Sequence, residues 1–335
     1  MRKKGGKAKK WPWIVLLVVG IFYVLSLRPV SEPITYGISF SKFHTDELNL
    51  DWKETYRAIL DDLGVKHFRF SAHWPTTEPA PGQYNFYELD YQIQEVNHHQ
   101  GDFILAIGRR LPGWPECHDP EWAKDLSVPE RQQRILEYLQ AVVERYKSAP
   151  NLLYWQVENE PFLTFFSRAR CGDLDKDFLD KEIALVKKLD QHHSVLITDS
   201  GEFGDWLRAY QRGDIFGTSL YLYIWNRKIG PWRYPLTPAF FRIKRSLVEL
   251  FNGPKPSMII ELSGEPWLLE PIVKSPFPVL LERMGIDKFE EMIDFASQTG
   301  FDRQYLWGAE WWYWLKKLGY AEHWQRAQQL FRSSP

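Results

Sequence analysis

The 335-residue sequence predicts an α/β protein, a (β/α)8 TIM barrel preceded by an N-terminal transmembrane helix. Three observations support this prediction. Short apolar runs typical of strands alternate with amphipathic helical patterns over roughly 300 residues, near the usual size of such a barrel. No glycine-rich phosphate loop follows the first run, which disfavours the rival doubly wound sheet. A long uncharged run near the N-terminus follows a basic segment.

The N-terminal segment is predicted to anchor the chain in the cell membrane. Residues 1–10 form a basic tail with six Lys and Arg side chains, and residues 11–27 carry no charge. Roughly 17 residues lie at the short edge of a spanning helix, and cations before it predict a cytoplasmic N-terminus. No convincing small-x-small cleavage site follows, so an uncleaved signal anchor is favoured over a signal peptide. We therefore expect a single-pass protein with an extracytoplasmic main domain.

A linker at residues 28–33 leads into one predicted barrel domain, residues 34–332. Helices are indicated by apolar side chains that recur on one face. Ser127 with Glu130, and Asp287 with Glu290, have the spacing of helix caps. The eight predicted strands cover residues 34–40, 66–74, 103–108, 152–157, 195–198, 215–223, 258–262 and 304–307.

Composition narrows the range of partners. The net charge of −1 and the lack of a basic recognition motif argue against nucleic acid. Aromatic residues make up 16% of the chain, and an aromatic face can bury the C–H surface of a sugar ring, although a Trp-rich core is the alternative. Cys117 and Cys171 are predicted to be a disulfide or two inert thiols. Cys117 and His118 lack zinc-site spacing, so no metal and no cofactor are expected.

Two glutamates are predicted to face one cavity. Active sites of this barrel lie at the C-terminal ends of the strands. The fourth predicted strand runs into Glu158-Asn159-Glu160-Pro161, and the seventh ends at Glu261. Retaining cleavage of a glycosidic bond needs two carboxyl groups about 5–5.5 Å apart, one as acid and one as nucleophile. Glu160 and Glu261 are the candidates.

With these residues the sequence resembles the clan A glycoside hydrolases, retaining barrel enzymes that include cellulases, mannanases, β-galactosidases and β-glucosidases. The resemblance rests on Asn159-Glu160-Pro161, Glu261, Arg69 in the second strand and Trp307 in the eighth, with further similarity over residues 74–84. It spans roughly residues 34 to 330 and is nearest to uncharacterised bacterial cellulase-like proteins.

The resemblance implies a role for each of these residues. Glu160 would be the acid/base, with its pKa raised by burial or by a nearby carboxylate. Glu261 would be the nucleophile, kept ionised by Arg69. Asn159 would donate a hydrogen bond to the sugar 2-hydroxyl, and Trp307 would form the platform under the sugar ring.

Some assignments stay open at the level of sequence. Tyr221 or Tyr223 could donate a hydrogen bond to Glu261, and Tyr221 is preferred. Glu265 competes with Glu261 as nucleophile, although Glu261 directly ends an apolar strand. Glu158, close to Glu160 in the chain, is expected to make a structural contact.

Three further side chains lie after predicted strands. His73 and Glu202 are candidate substrate-binding residues, while His73 and His118 could equally hold loops in place. The segment 109–118 matches no well-characterised subfamily, so the sugar stays open.

The predicted function is hydrolysis of an O-glycosidic bond in an extracytoplasmic oligo- or polysaccharide by double displacement. A transglycosylase acting on a surface glycan would share the same site. A non-catalytic, membrane-tethered glycan-binding barrel is the third hypothesis, because a fold alone does not fix function. A carbohydrate and a membrane are the expected partners, and the oligomeric state is left open.

Overall fold

In the computed structural model, which describes residues 11–27, 30, 33–164, 167–173, 175–226, 228–268 and 270–334, eight parallel strands close into a barrel. They follow the order β1-β10-β9-β6-β5-β4-β3-β2, and β7 and β8 form a separate antiparallel hairpin. The strands are β1 (Thr35–Ser39), β2 (His67–Ser71), β3 (Asp102–Ile107), β4 (Leu152–Val157), β5 (Ser194–Asp199), β6 (Ile215–Leu220), β7 (Tyr223–Asn226), β8 (Gly230–Arg233), β9 (Ser257–Ser263) and β10 (Arg303–Trp307).

Helices cover the outside of the barrel, and most of them pack apolar side chains towards the strands. They are α1 (Trp11–Ser26), α2 (Lys42–Glu47), α3 (Trp52–Asp61), α4 (Trp74–Thr77), α5 (Tyr87–His98), α6 (Val128–Tyr146), α7 (Arg168–Cys171), α8 (Lys176–Leu189), α9 (Leu207–Arg212), α10 (Pro238–Asn252), α11 (Phe277–Arg283), α12 (Ile286–Ser297), α13 (Ala309–Lys317) and α14 (Glu322–Ser333). Helix α1 differs from the others, since it contacts α10 and keeps most of its side chains exposed. The predicted (β/α)8 barrel is thus confirmed.

Two local predictions have different outcomes, and two strands were drawn too long. The predicted strand 66–74 ends at Ser71, and Trp74 already belongs to α4. Ser127 and Glu130 form the predicted capping box at the start of α6. At α12 the cap is Gly285, so Asp287 lies in the first turn and is not the cap. The predicted strand 215–223 ends at Leu220, because the chain turns there and Tyr223 begins the β7–β8 hairpin.

A small apolar cluster fills the inside of the barrel. Ile104, Leu196 and Ile260 belong to it, and the ring of Tyr305 lies beside Gly37 of β1. A Cβ at position 37 would lie 2.6 Å from that ring, so glycine is required for the ring to enter. This packing closes the barrel below the polar residues at the C-terminal strand ends.

An irregularity in β9 decides where Glu261 points. Thr218 of β6 pairs with Ile259, but the next residue, Ser219, pairs with Glu261. The extra residue is a β-bulge, which lets both Ile260 and Glu261 face the barrel interior. Regular alternation would have turned Glu261 outward.

The predicted membrane anchor lacks support in the structure. Most of the uncharged run 11–27 forms α1, Trp11–Ser26, which begins at the first described residue. Nowhere in the described ranges is there a helix both long and apolar enough to span a membrane. The basic tail, residues 1–10, lies outside the described residues, as do four positions of the linker 28–33.

The two cysteines form a disulfide, Cys117–Cys171, one of the two alternatives that the sequence left open. It joins the loop after β3 to α7, in the connection after β4. Both segments lie at the C-terminal end of the barrel, where the candidate site is.

The buried Asp190, directly after α8, provides a test of this packing. Burial would raise its pKa, but hydrogen bonds from Trp155 Nε1, from the His193 ring and from two backbone N–H groups lower the pKa to about 2. A depressed carboxyl pKa adds stability that is present above the unfolded pKa of about 3.9 and is lost as pH falls towards 2.

We expect Asp190→Asn to reduce the free energy of unfolding at pH 7. The difference from the wild type should shrink between pH 4 and pH 2, because the wild-type carboxylate becomes protonated there. Urea unfolding at several pH values measures this. A difference that stays constant down to pH 2 would show that the charge contributes nothing.

Candidate active site

Arg69 organises the polar layer at the C-terminal strand ends. Its side chain, 1% exposed, projects from β2 into the barrel. Its three nitrogens donate hydrogen bonds to three neighbouring strands or strand ends: Nη1 to Glu261 Oε2 at 2.8 Å, Nε to Gln156 Oε1 at 2.8 Å and Nη2 to Asn159 Oδ1 at 2.7 Å. A buried guanidinium needs such partners, since desolvation without them is costly.

Glu261 has a partner on each carboxylate oxygen. Oε2 pairs with Arg69, and Oε1 accepts a hydrogen bond at 2.6 Å from the Tyr221 hydroxyl. Burial and the charge of Glu261 raise the pKa of Tyr221 well above its usual value, so the hydroxyl keeps its proton and donates. The predicted Tyr221 contact is present, whereas the Tyr223 hydroxyl donates to Glu291 instead.

Glu160 lies in a strained turn after β4. Both Glu158 and Glu160 have positive φ angles, +58° and +43°, which cost of order 1–3 kcal/mol each for non-glycine residues. The Glu160 backbone N–H donates to Thr198 Oγ1 at 2.8 Å, and Ser219 Oγ donates to Glu160 Oε1 at 2.6 Å. These contacts from β5 and β6 hold the turn in place.

The environment of Glu160 favours the protonated carboxyl. Burial is the main cause and the negative charge of Glu261 the second, and together they raise the pKa of Glu160 well above its usual value. The hydrogen bond from Ser219 lowers the pKa but does not cancel the other two effects. Glu160 and Glu261 therefore have the same side chain in opposite electrostatic settings. Glu160 feels the charge of a carboxylate, whereas Glu261 is paired with a guanidinium.

Asn159 is oriented by the same network. Its Oδ1 accepts from Arg69 Nη2 at 2.7 Å and from Gln156 Nε2 at 3.2 Å. Because the amide oxygen faces these donors, the amide nitrogen faces away from them, as a group that can only donate.

Glu158 points to the other side of the strand, as expected for a structural contact. Its two oxygens accept from the backbone N–H groups of Arg109 and Arg110, both at 2.7 Å. It also faces the buried Glu182 of α8, whose pKa is raised well above its usual value by burial and by the charge of Glu158. A Cβ on Gly108 would lie 2.4 Å from Glu158, so only glycine fits there.

Glu265 contacts the side chains of Trp307 and His44. The indole Nε1 of Trp307 donates to Glu265 Oε1 at 2.7 Å, and Glu265 Oε2 lies 2.6 Å from His44 Nε2. Burial lowers the pKa of His44, but the charge and hydrogen bond of Glu265 outweigh it, so the pKa is raised well above its usual value. Glu261 contacts Arg69, while Glu265 pairs with a histidine.

The other two predicted site residues, His73 and Glu202, contact neighbouring rings and backbone. His73, after β2, is buried with its ring 4.6 Å from His118 and 4.4 Å from Phe43, and burial keeps its pKa well below the usual value. Glu202, after β5, accepts the backbone N–H of Tyr221 at 2.7 Å, and burial raises its pKa to about 7. Glu202 thus positions the tyrosine that contacts Glu261.

One carboxylate near the site was missed from the sequence. Glu116 lies 3.5 Å from Arg110 Nε, and its pKa is raised to about 7, mainly by burial and partly by the charge of Glu261. It belongs to the segment 109–118, whose mismatch with known subfamilies was the available signal. Within the described ranges, no three His, Cys, Asp or Glu side chains are grouped as a metal site.

Comparison with known proteins finds the same barrel fold in several solved structures. No family model matches the chain, and no curated protein matches it significantly. A β-galactosidase from Halorubrum lacusprofundi has a TM-score of 0.56 at 15% identity over 82% of this chain. A GH5_18 protein from Bifidobacterium longum in complex with Manβ1-4GlcNAc has a TM-score of 0.59 at 12% identity over 82% of this chain.

A third similar structure is endo-glycoceramidase II from Rhodococcus sp., with a TM-score of 0.52 at 15% identity over 82% of this chain. This chain covers about half of the haloarchaeal β-galactosidase, 52%, and 68% and 73% of the other two proteins. The shared feature is the fold, which is the one that the clan A resemblance predicted.

Arg69 provides the stability test for the site. We expect Arg69→Met to lower the free energy of unfolding by about 3–5 kcal/mol, because it leaves a buried carboxylate and two amides without their donor. The double variant Arg69→Met/Glu261→Gln should lose less than the sum of the two single variants. Chemical denaturation measures all three.

The control is Arg134→Met, which breaks an exposed ion pair with Glu137 on α6. Exposed pairs contribute at most about 1 kcal/mol, so this variant should be close to the wild type. If Arg69→Met were as stable as this control, the proposed dependence of the site on Arg69 would be wrong.

Proposed function

We propose that the protein is a retaining glycoside hydrolase of β-linked glycans, with Glu160 as acid/base and Glu261 as nucleophile. The observation that carries the proposal is the opposite setting of two buried glutamates at the ends of β4 and β9. Glu160 is kept protonated by burial and by a neighbouring carboxylate, whereas Glu261 accepts hydrogen bonds from a guanidinium and a phenol. Retaining cleavage requires this division of roles.

In the first step Glu261 attacks the anomeric carbon, and Glu160 gives its proton to the leaving oxygen. The glycosidic C–O bond breaks, a glycosyl–Glu261 ester forms, and the leaving group departs with the proton. Attack neutralises the charge of Glu261. Since that charge helps to raise the pKa of Glu160, ester formation lowers the pKa and prepares Glu160 to act as a base.

In the second step water attacks the anomeric carbon and Glu160 takes its proton. The ester bond breaks, Glu261 returns as a carboxylate beside Arg69, and the sugar leaves with its original configuration. Asn159 would donate its amide hydrogen to the 2-hydroxyl, and Trp307 would pack under the ring. The Glu265–His44 pair fixes the indole of Trp307 for that purpose.

The comparisons support the substrate class. The similar structures include a β-galactosidase and a protein holding the β-linked disaccharide Manβ1-4GlcNAc. A β-configured sugar is therefore the first substrate to test. Thr198 and Ser219 hold Glu160 in a strained, buried position, and strained backbone with a shifted pKa is concentrated at functional sites.

We also propose that the barrel works outside the cytoplasm. The Cys117–Cys171 disulfide supports this, because such bonds persist in oxidising compartments. Thiol alkylation of protein taken from its native host without reductant should leave both cysteines unmodified. Two alkylated cysteines would contradict the proposal.

Covalent trapping tests the roles directly. Wild-type protein incubated with mechanism-based β-glycosidase probes should carry a label on Glu261 in peptide mass spectra, because the ester forms there. Glu160→Gln and Glu261→Gln should each reduce kcat by a factor of about a thousand or more. A label on Glu265 would keep the mechanism and change the nucleophile.

Active Glu160→Gln and Glu261→Gln variants would contradict the assignment. Glu182→Gln is the matched control, because Glu182 is also a buried glutamate with a raised pKa but lies on α8, behind Glu158. It should keep the covalent labelling. Sugar affinity without turnover or labelling would indicate a barrel that only binds.

The pH profile tests the acid. Activity requires a protonated Glu160, so kcat/KM should fall as pH rises through its raised pKa. Ser219→Ala removes a hydrogen bond that lowers this pKa, so the basic limb should move to higher pH. Ser257→Ala, at the opposite end of β9, is the control and should leave the limb unchanged. A shift to lower pH in Ser219→Ala would contradict the role of Glu160.

A further inference from the structure

The exposed aromatic side chain of Trp114 is unexplained by the proposed catalytic steps. It is 67% exposed, more than any other described tryptophan beyond residue 33, and most of those are buried. Leaving an indole in water forgoes a burial worth about 1.5–3 kcal/mol for a large apolar side chain. Such exposure on a fixed segment at the rim of a candidate site points to a ligand contact.

The loop that carries Trp114, residues 109–118, is held rigidly. Arg109 forms a bidentate ion pair with Asp119, at 2.7 Å for each contact, and Glu158 accepts two backbone N–H groups of the loop. Cys117 is tied to Cys171. Within the loop, the Leu111 N–H donates to the backbone carbonyl oxygen of Glu116 at 2.9 Å. The position of Trp114 is therefore set by the scaffold.

The neighbours of Trp114 in the chain lie against the candidate site. A Cβ on Gly113 would be 3.4 Å from Cη2 of Trp307, the proposed platform under the sugar. On the other side, Glu116 is close enough to Glu261 for that charge to affect its pKa. His118 Nε2 contacts the Gly113 carbonyl oxygen at 3.3 Å, and Phe43, 38% exposed, stacks on His118.

These contacts show on which side of the cleft Trp114 lies. Glu160, which gives its proton to the leaving group, is held by Thr198 and Ser219 from β5 and β6. The loop around Trp114 instead contacts Trp307 at the end of β10 and, through His118, Phe43 after β1. In the barrel order, β1 lies opposite β5, and β10 lies opposite β4, which leads into Glu160. The loop leaves β3 beside β4, where the Arg110 carbonyl oxygen accepts the Asn159 N–H at 2.7 Å, but its Gly113 reaches Trp307. Trp114, next to Gly113, is thus on the Trp307 side of the cleft.

We propose that Trp114 binds the face of a second sugar ring on the glycone side, next to the ring over Trp307. The inference rests on the proposed function and names its substrate more narrowly, as β-linked chains with at least two sugars before the cleaved bond. The indole would cover the C–H face of the ring and leave its hydroxyls free, the usual geometry for amphipathic sugars on aromatic surfaces.

The test compares paired chromogenic substrates with the same leaving group. These are 4-nitrophenyl β-glucoside, β-galactoside and β-mannoside against the 4-nitrophenyl glycosides of cellobiose, lactose and β-1,4-mannobiose. Trp114→Ala should lower kcat/KM on the disaccharide glycosides about tenfold, mainly through KM, and leave the monosaccharide glycosides nearly unchanged. Trp114→Phe keeps an aromatic ring and should retain most of the activity.

Phe251→Ala is the matched control, because Phe251 is 78% exposed at the end of α10, just before β9 and so at the opposite end of the barrel. Three outcomes would overturn the second-ring site while leaving the proposed hydrolase activity intact. They are an equal loss of kcat/KM in Trp114→Ala on both substrate classes, no loss on either, and a wild type without preference for disaccharide glycosides. If the wild type turns over no probe, the proposed function fails for these sugars. Binding of the wild type and of Trp114→Ala to a glycan array then tests the second-ring site, and equal binding by the two proteins would reject it.

Discussion

The buried guanidinium of Arg69 is the constraint on which the polar end of the barrel depends. A cation that is almost fully shielded from water has to be matched by acceptors, and it finds them on β4, on β9 and in the turn after β4. Because the guanidinium is planar and always charged, it fixes the directions of these acceptors as well as their distances. Glu261 and Asn159 are consequently positioned before any ligand arrives.

The chemistry then comes from the difference between two identical side chains. Glu261 faces Arg69 and Tyr221, whereas Glu160 faces the charge of Glu261 and a single hydroxyl, that of Ser219. Burial makes each of these interactions stronger than it would be in water. In the proposed mechanism the barrel would obtain a proton donor and a nucleophile from the same residue type, and the ester formed on Glu261 would lower the pKa of Glu160.

A second set of buried groups supports the site from outside. Glu158 accepts two backbone N–H groups of the loop after β3, and the Cys117–Cys171 bond ties that loop to the connection after β4. The positive φ angles at Glu158 and Glu160 turn one glutamate outward to this loop and the other inward. Strain in that turn is tolerated because Glu158 accepts two backbone N–H groups and Glu160 is held by Thr198 and Ser219. The same loop presents Trp114 at the rim.

The sequence by itself determined the barrel, its eight strands and the strand-end positions of Glu160, Glu261, Arg69 and Trp307, because apolar periodicity and sequence position are local properties. It drew the second strand into α4 and the sixth strand into the β7–β8 hairpin, and it overlooked Glu116. Only the tertiary structure decided that Glu261 faces inward, since the β9 bulge breaks alternation. It also gave Glu261 and Glu265 different partners, Arg69 and His44, and it raised the pKa of Glu160. Sequence alone could not supply these features, because burial and charge pairing arise between residues distant in sequence.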